Sequence, residues 1–143
     1  MKISTKGRYA LRLMLDLAAH NGDSPVSLKD IAARQQISEK YLEQIISILN
    51  KAGYVKSVRG AQGGYQLKKQ PSEYTVGMIL RQTEGSLAPV DCVAEGGSCD
   101  RMEMCVTIRI WQQIYDAVNQ VVDNITLEDI LGWQAEQGLD YII

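Results

Sequence analysis

No run of apolar residues in this 143-residue chain approaches the roughly 20 that a helix needs to cross a bilayer. Met1 to Lys6 lead into an amphipathic segment rather than into the apolar stretch of an export signal. A membrane or secreted protein is therefore not expected, and the expected location is cytoplasmic. Cysteine is scarce and odd in number, at three, which without an export signal speaks against a disulfide framework and leaves reduced thiols free for chemistry. Catalytic constellations are missing too. There is no Ser-His-Asp set, no phosphate-binding loop and no pair of carboxylates placed for general acid-base work, so turnover is not expected. Disorder is excluded by composition: with 45% hydrophobic and 22% charged residues and a net charge of -2, the chain can bury one ordinary core. No internal repeat or low-complexity tract is present.

The small net charge conceals a split. Residues 1-70 hold 12 Lys and Arg against 5 Asp and Glu, net +7, whereas residues 71-143 hold 3 against 12, net -9. A basic half joined to an acidic one points to a polyanion at the basic end, because Lys and Arg beside phosphates release counterions. Solvated faces alone would also carry such charges, so the pattern of elements has to decide.

Leu11, Met14, Leu15 and Ala18 recur at helical steps between Thr5 and Ala19, and Asn21-Gly22 ends that helix. Ser27 caps a short second helix with Leu28, Ile31 and Ala32 inward, closing near Gln35. Ser38 caps a third, with Leu42, Ile45, Ile46 and Leu49 inward and a stop at Gly53. The period then changes to two: Val55 to Val58, a glycine-rich tip from Arg59 to Gly64, and Tyr65 to Leu67 form a β hairpin. The glycines of that tip lie in a hairpin rather than between a strand and a helix, which argues against nucleotide binding. Helix, short helix, capped helix and basic-tipped hairpin make a winged helix-turn-helix, mainly α with a small β wing.

Thr75 caps a further helix to Glu84. From Val106 to about Val122 a long helix carries Ile110, Trp111, Ile114, Tyr115, Val118, Val121 and Val122 as a wide apolar stripe, too apolar for a lone exposed arm. It packs on its own domain or pairs with a second copy. Operator reading by a winged helix uses twofold symmetry, which favours a homodimer on a double-stranded DNA operator. Thr126 caps a last, short helix with Leu127, Ile130, Leu131 and Trp133. The division expected is 1-70 for DNA binding, 71-105 for a linker helix and cysteine loop, and 106-143 for the dimerisation helix and the last helix.

The outward face of the third helix offers Ser38, Lys40, Tyr41, Glu43 and Gln44. Gln44 suits an adenine edge and Glu43 a cytosine amino group, while Ser38, Lys40 and Tyr41 suit phosphates. Arg59 at the wing suits the minor groove, and Gly60 lets the backbone turn sharply there. All three cysteines, Cys92, Cys99 and Cys105, fall in one polar loop that ends at a helix start. Three soft thiolates there suit an iron-sulfur cluster or zinc, and neighbours such as Asp91, Glu95, Asp100 and Glu103 are too polar for a segment of buried structural cysteines.

These residues carry a resemblance. The opening Met-Lys-Ile-Ser-Thr-Lys-Gly-Arg-Tyr-Ala, the stretch from Ser38 to Gln44, Val58-Arg59-Gly60 with Gly63-Gly64-Tyr65, and the Cys92/Cys99/Cys105 loop before Trp111 resemble the Rrf family. Within it they resemble the iron-sulfur cluster regulators of the IscR type, over nearly the whole chain to about Leu131. The resemblance implies a homodimeric transcription factor whose long helix crosses to the partner and whose three cysteines hold a cluster; a repressor is expected, and 2Fe-2S ahead of 4Fe-4S. It maps DNA reading onto Ser38, Tyr41, Glu43, Gln44 and Arg59. One departure stands out. Such regulators place a histidine three residues after the last cysteine, where this chain has Ile108, and nitric-oxide-sensing relatives use a first-helix carboxylate where this chain has Arg8. The fourth ligand is unassigned: Asp91, Glu95, Asp100 and Glu103 are local candidates, His20 is distant in sequence, and a small thiol, water or an open iron site remains. The alternatives are a cluster-free repressor of the CymR type, a zinc- or thiol-controlled regulator, and a small iron-sulfur electron carrier, for which three cysteines give no complete ligand set.

Overall fold

The computed structural model describes residues 1–22 and 24–142, with side chains as far as Gly138; Ile143, the last residue of the expected third segment, lies outside the described residues. Helix α1 spans Thr5–Ala19 behind Ser4, whose hydroxyl accepts from the Gly7 amide. Helix α2, Leu28–Gln35, and helix α3, Glu39–Lys51, begin at the expected caps: Ser27 accepts from Asp30 and Ser38 from Tyr41, each at 3.1 Å. Gln36, at φ 56°, is the left-handed residue that turns the chain between them.

Strands β1, Val55–Val58, and β2, Gly64–Leu67, pair antiparallel in the register Val55 to Leu67 and Val58 to Gly64. At the tip Gly60 takes φ +118°, a conformation that side-chain-bearing residues avoid. Val26, just ahead of α2, bonds both ways with Tyr65 at 2.9 and 2.8 Å, so the wing is anchored to the helix-turn-helix along its other edge. Buried Tyr74 fastens its far end: the hydroxyl donates to the Tyr54 carbonyl at 2.7 Å and accepts from the Lys69 amide at 3.0 Å.

Helix α4, Val76–Glu84, packs along α1. The core is continuous from Leu13, Met14 and Leu17 through Ile31, Leu42, Ile45 and Leu49 to Ile79. Helix α5 runs over Ile108–Val122, and helix α6 over Leu127–Ile142. Sequence reading expects a short last helix, yet α6 has 16 residues, because no glycine cap or proline stops it and Gly132 and Gly138 lie within it. Its start is set by reciprocal bonds: Asp129 N donates to Thr126 Oγ1 and Thr126 N to Asp129 Oδ2. Buried Leu127 and a bridge between Thr75 and Thr126 lock that start against the lead-in of α4. The result is a mainly helical winged-helix body with a two-stranded hairpin. Among the described residues no helix is long and apolar enough to cross a membrane.

Candidate nucleic-acid interface and thiol loop

Burial splits α3 cleanly into two faces. Leu42, Ile45, Ile46 and Leu49 are buried, whereas Ser38, Lys40, Glu43 and Gln44 are exposed along the first two turns. Arg59 and Gly60 are exposed at the hairpin tip. Tyr41 differs from its neighbours: it is half-buried, its ring meeting Tyr9 of α1 edge-on with centroids 5.7 Å apart. Its helical position alone placed it outward; the packing of α1 draws the ring in.

Between α1 and α2 lies a charge cluster that sequence reasoning missed. Asp16, on α1, is only 4% exposed and accepts from Arg34 Nε and Nη2, at 3.1 and 2.7 Å, and from Gln35 Nε2 at 3.0 Å. Burial disfavours the charged carboxylate, but these hydrogen bonds and the guanidinium charge outweigh it and hold the Asp16 carboxyl below its ordinary range. The bidentate pair bolts α1 to α2, the first helix of the helix-turn-helix. The signal in the sequence was a lone acidic residue on the apolar face of a helix. His20 faces the same group, with Nδ1 2.8 Å from the Asp16 carbonyl oxygen and 3.4 Å from its Oδ1. It is thus engaged at the end of α1 and not at the cysteine loop.

The thiols lie between α4 and α5. Cys92 sits in a 3₁₀ turn over Asp91–Val93, with buried Val93 the anchor of that turn. Cys99 is exposed, and Cys105 precedes α5. All three are free. The Cys105 sulfur is 3.1 Å from Thr107 Oγ1, and this bond with the Ile108 amide lowers its pKa, favouring a thiolate. The donor chemistry suits a soft metal, but among the described residues no three Cys, His, Asp or Glu side chains converge on one point. In this arrangement the loop does not form a cluster-binding set.

Helix α5 continues the contrast. Its stripe of Ile110, Trp111, Ile114, Val118 and Val121 contains no buried residue. At its C-terminal end an apolar groove of about 590 Å³ opens between α5, the end of α4 and the first residues, lined by Ile3, Leu80, Leu87, Val118, Val121 and Val122.

Residues 3–132 match the Rrf2 family, described as an iron-dependent transcriptional regulator. The transcriptional regulator CymR of Bacillus subtilis is 46% identical over 93% of this chain and 91% of its own. The transcriptional regulator IscR of Pectobacterium carotovorum is 41% identical over 92% of this chain and 79% of its own. Among solved structures, IscR of T. potens superposes with a TM-score of 0.78 at 47% identity, covering 96% of this chain and 90% of that one. With a family match over most of its length, a winged-helix fold and relatives that are regulators rather than enzymes, the chain belongs to the Rrf2 family of transcriptional regulators.

Proposed function

We propose that this protein is a homodimeric, sequence-specific DNA-binding repressor in which residues 1-70 read the operator, 71-105 form the linker helix and thiol loop, and 106-143 provide the dimer contact. The observation that carries the DNA reading is the exposed face of α3, presented beside a basic glycine hairpin on a segment of net charge +7. Ser38, Lys40 and Tyr41 position α3 on phosphates, Glu43 and Gln44 read base edges, and Arg59 with Gly60 enters the minor groove. The uncovered stripe of α5 supports a second copy as its cover, since two recognition helices must face successive grooves. A duplex shift assay tests this. Arg59→Ala should weaken binding to every sequence and Glu43→Ala should relax discrimination at one base pair; unchanged binding in both would overturn the docking.

The signal is the finer question. Three free thiols on one polar loop favour an iron-sulfur cluster on Cys92, Cys99 and Cys105, with the loop closing to gather them. The cluster-free reading draws on a different observation, the dispersed thiols, together with a CymR relative as similar as the IscR ones. Anaerobic purification with visible absorption and iron, sulfide and zinc analysis separates the two. Matched iron and sulfide, lost in Cys92→Ala, Cys99→Ala and Cys105→Ala, supports the cluster. A colourless, iron-free protein that resists reconstitution supports thiol or partner control.

A further inference from the structure

Two side chains of helix α1, Arg12 and Tyr9, meet the segment that leads into and opens the recognition helix. Arg12, exposed to solvent, donates from Nε to Gln35 Oε1 at 3.1 Å and from Nη2 to the Gln35 carbonyl oxygen. Gln35 is the last residue of α2, so this carbonyl has no partner within its own helix, and a cation here also meets the negative end of the helix dipole. The left-handed Gln36 follows at once and swings the chain toward α3. The same guanidinium lies over the Tyr9 ring, 5.3 Å from its centroid. Tyr9 in turn meets the ring of Tyr41 edge-on, with the planes at 90°. Tyr41 stands in the first turn of α3, with its amide held by Ser38. Tyr9 and Arg12, one turn apart on α1, therefore touch both ends of the segment that orients the recognition helix.

We propose that Tyr9 and Arg12 are positioning residues for base discrimination: they fix the turn at Gln35-Gln36 and the rotation of the first turn of α3, so that Glu43 and Gln44 meet base edges in one register. The inference rests on the DNA reading above. The main attachment of α2 to α1 does not depend on them, because Asp16 holds Arg34 and Gln35 separately. Loss of Arg12 thus loosens orientation while the body stays folded.

The test uses the full chain and a duplex selected by it from a pool randomised over about 20 base pairs, enough for two half-sites a helical turn apart. Affinity is measured for that duplex, for its variant at the base pair where Glu43→Ala relaxes discrimination, and for an unrelated duplex. Arg12→Ala and Tyr9→Ala should cut the ratio between the first two by about fivefold, within the worth of one base contact, with affinity for the unrelated duplex held within about twofold, as expected when no phosphate contact is lost. Tyr9→Phe, which keeps the ring, should restore the ratio. Arg12→Lys, which keeps the charge but lacks the planar fork, should not. Rescue by Arg12→Lys, or a parallel loss on all three duplexes, would make Arg12 a phosphate contact and overturn the proposal. Amide exchange at residues 38–43 adds a readout without DNA. Faster exchange in Arg12→Ala is expected, and unchanged exchange overturns positioning even where DNA binding stands. A wild-type chain that selects no duplex overturns the DNA reading and this inference with it.

Discussion

Helices α1 and α5 are both 15 residues long and both amphipathic, yet α1 buries seven residues and α5 none. The difference lies in neighbours. α1 is surrounded by α2, α3, α4, α6 and β2, whereas among the described residues α5 packs chiefly against α4 and the 3₁₀ turn at Asp91–Val93. Periodicity states that a helix has a face to cover but not what covers it. For α1 the cover is the rest of the winged-helix body; among the described residues α5 is covered only in part, although leaving Ile110 and Val121 at least half exposed is unfavourable. The stability of the body is therefore written on α1, and the proposed dimer contact on α5.

The sharpest way to break that contrast is to truncate each helix once. Leu13→Ala on α1 removes a fully buried side chain and should cost about 3 kcal/mol whatever the protein concentration, read from the urea midpoint. Ile114→Ala on α5 should leave the unfolding of the isolated chain nearly unchanged. It should instead weaken self-association by about thirtyfold, the equivalent of the ~2 kcal/mol lost on truncating a residue buried between two copies. Sedimentation across concentrations checks this. An Ile114→Ala protein that associates like the wild type would show that α5 is not the dimer contact.

The same acid–guanidinium chemistry occurs at two depths in the molecule. Asp16 pairs with Arg34 between α1 and α2, and Asp123, just past α5, pairs with Arg81 of α4, each through two hydrogen bonds. The Asp16 side chain is 2% exposed and that of Asp123 is 43%. Removing Asp16 as Ala strands a guanidinium against the core and should cost about 2 kcal/mol, less than the ~3–5 kcal/mol of a fully buried pair because Arg34 retains a path to solvent. Both carboxyls titrate below their ordinary range, Asp16 because its hydrogen bonds outweigh the effect of burial and Asp123 chiefly through its hydrogen bonds with Arg81. Their stabilisation is therefore complete above a pH of about 4, the ordinary carboxyl value, and is lost as acid titrates through the lowered folded-state values. Thermal midpoints below that pH should fall less steeply in Asp16→Asn than in the wild type; an unchanged slope would remove Asp16 from the acid response.

What could be read in advance follows the same divide. The caps Ser27, Ser38, Thr75 and Thr126, the period of two from Val55 and the glycine tip are local signals, and each marks an element where it stands. The exposed positions Lys40, Glu43 and Gln44 were legible because one face of α3 was plainly apolar, and Arg59 because it opens the glycine-rich tip of the hairpin. Tyr9, Arg12 and Asp16 were not, since their roles depend on where α1 lies across α2 and α3, a long-range matter without a local mark. The thiol loop shows the limit from the other side: its donors are evident from residue type alone, but gathering three sulfurs depends on tertiary placement that the spacing of Cys92, Cys99 and Cys105 does not specify.

The smallest effect concerns the joint between α4 and the C-terminal end of α5. Arg81 donates to both carboxylate oxygens of Asp123 and, at 2.8 Å, to Asn119 Oδ1. Gly77 makes room for this joint: a Cβ there would stand 2.1 Å from Asp123 Oδ1 and 2.6 Å from Arg81 Nη1, closer than atoms tolerate. Both obstacles are ends of flexible side chains, so Gly77→Ala should fold and displace the pair rather than unfold α4. Because the pair is partly exposed, Arg81→Gln should cost no more than about 1 kcal/mol. Gly77→Ala should cost a similar amount, and the double variant should cost little more than either single one, since both remove the same contact. Additive losses in denaturant titrations would mean that the glycine serves backbone packing alone, and that the end of α5 is held by buried Leu127 and the Thr75–Thr126 bridge without help from the ion pair.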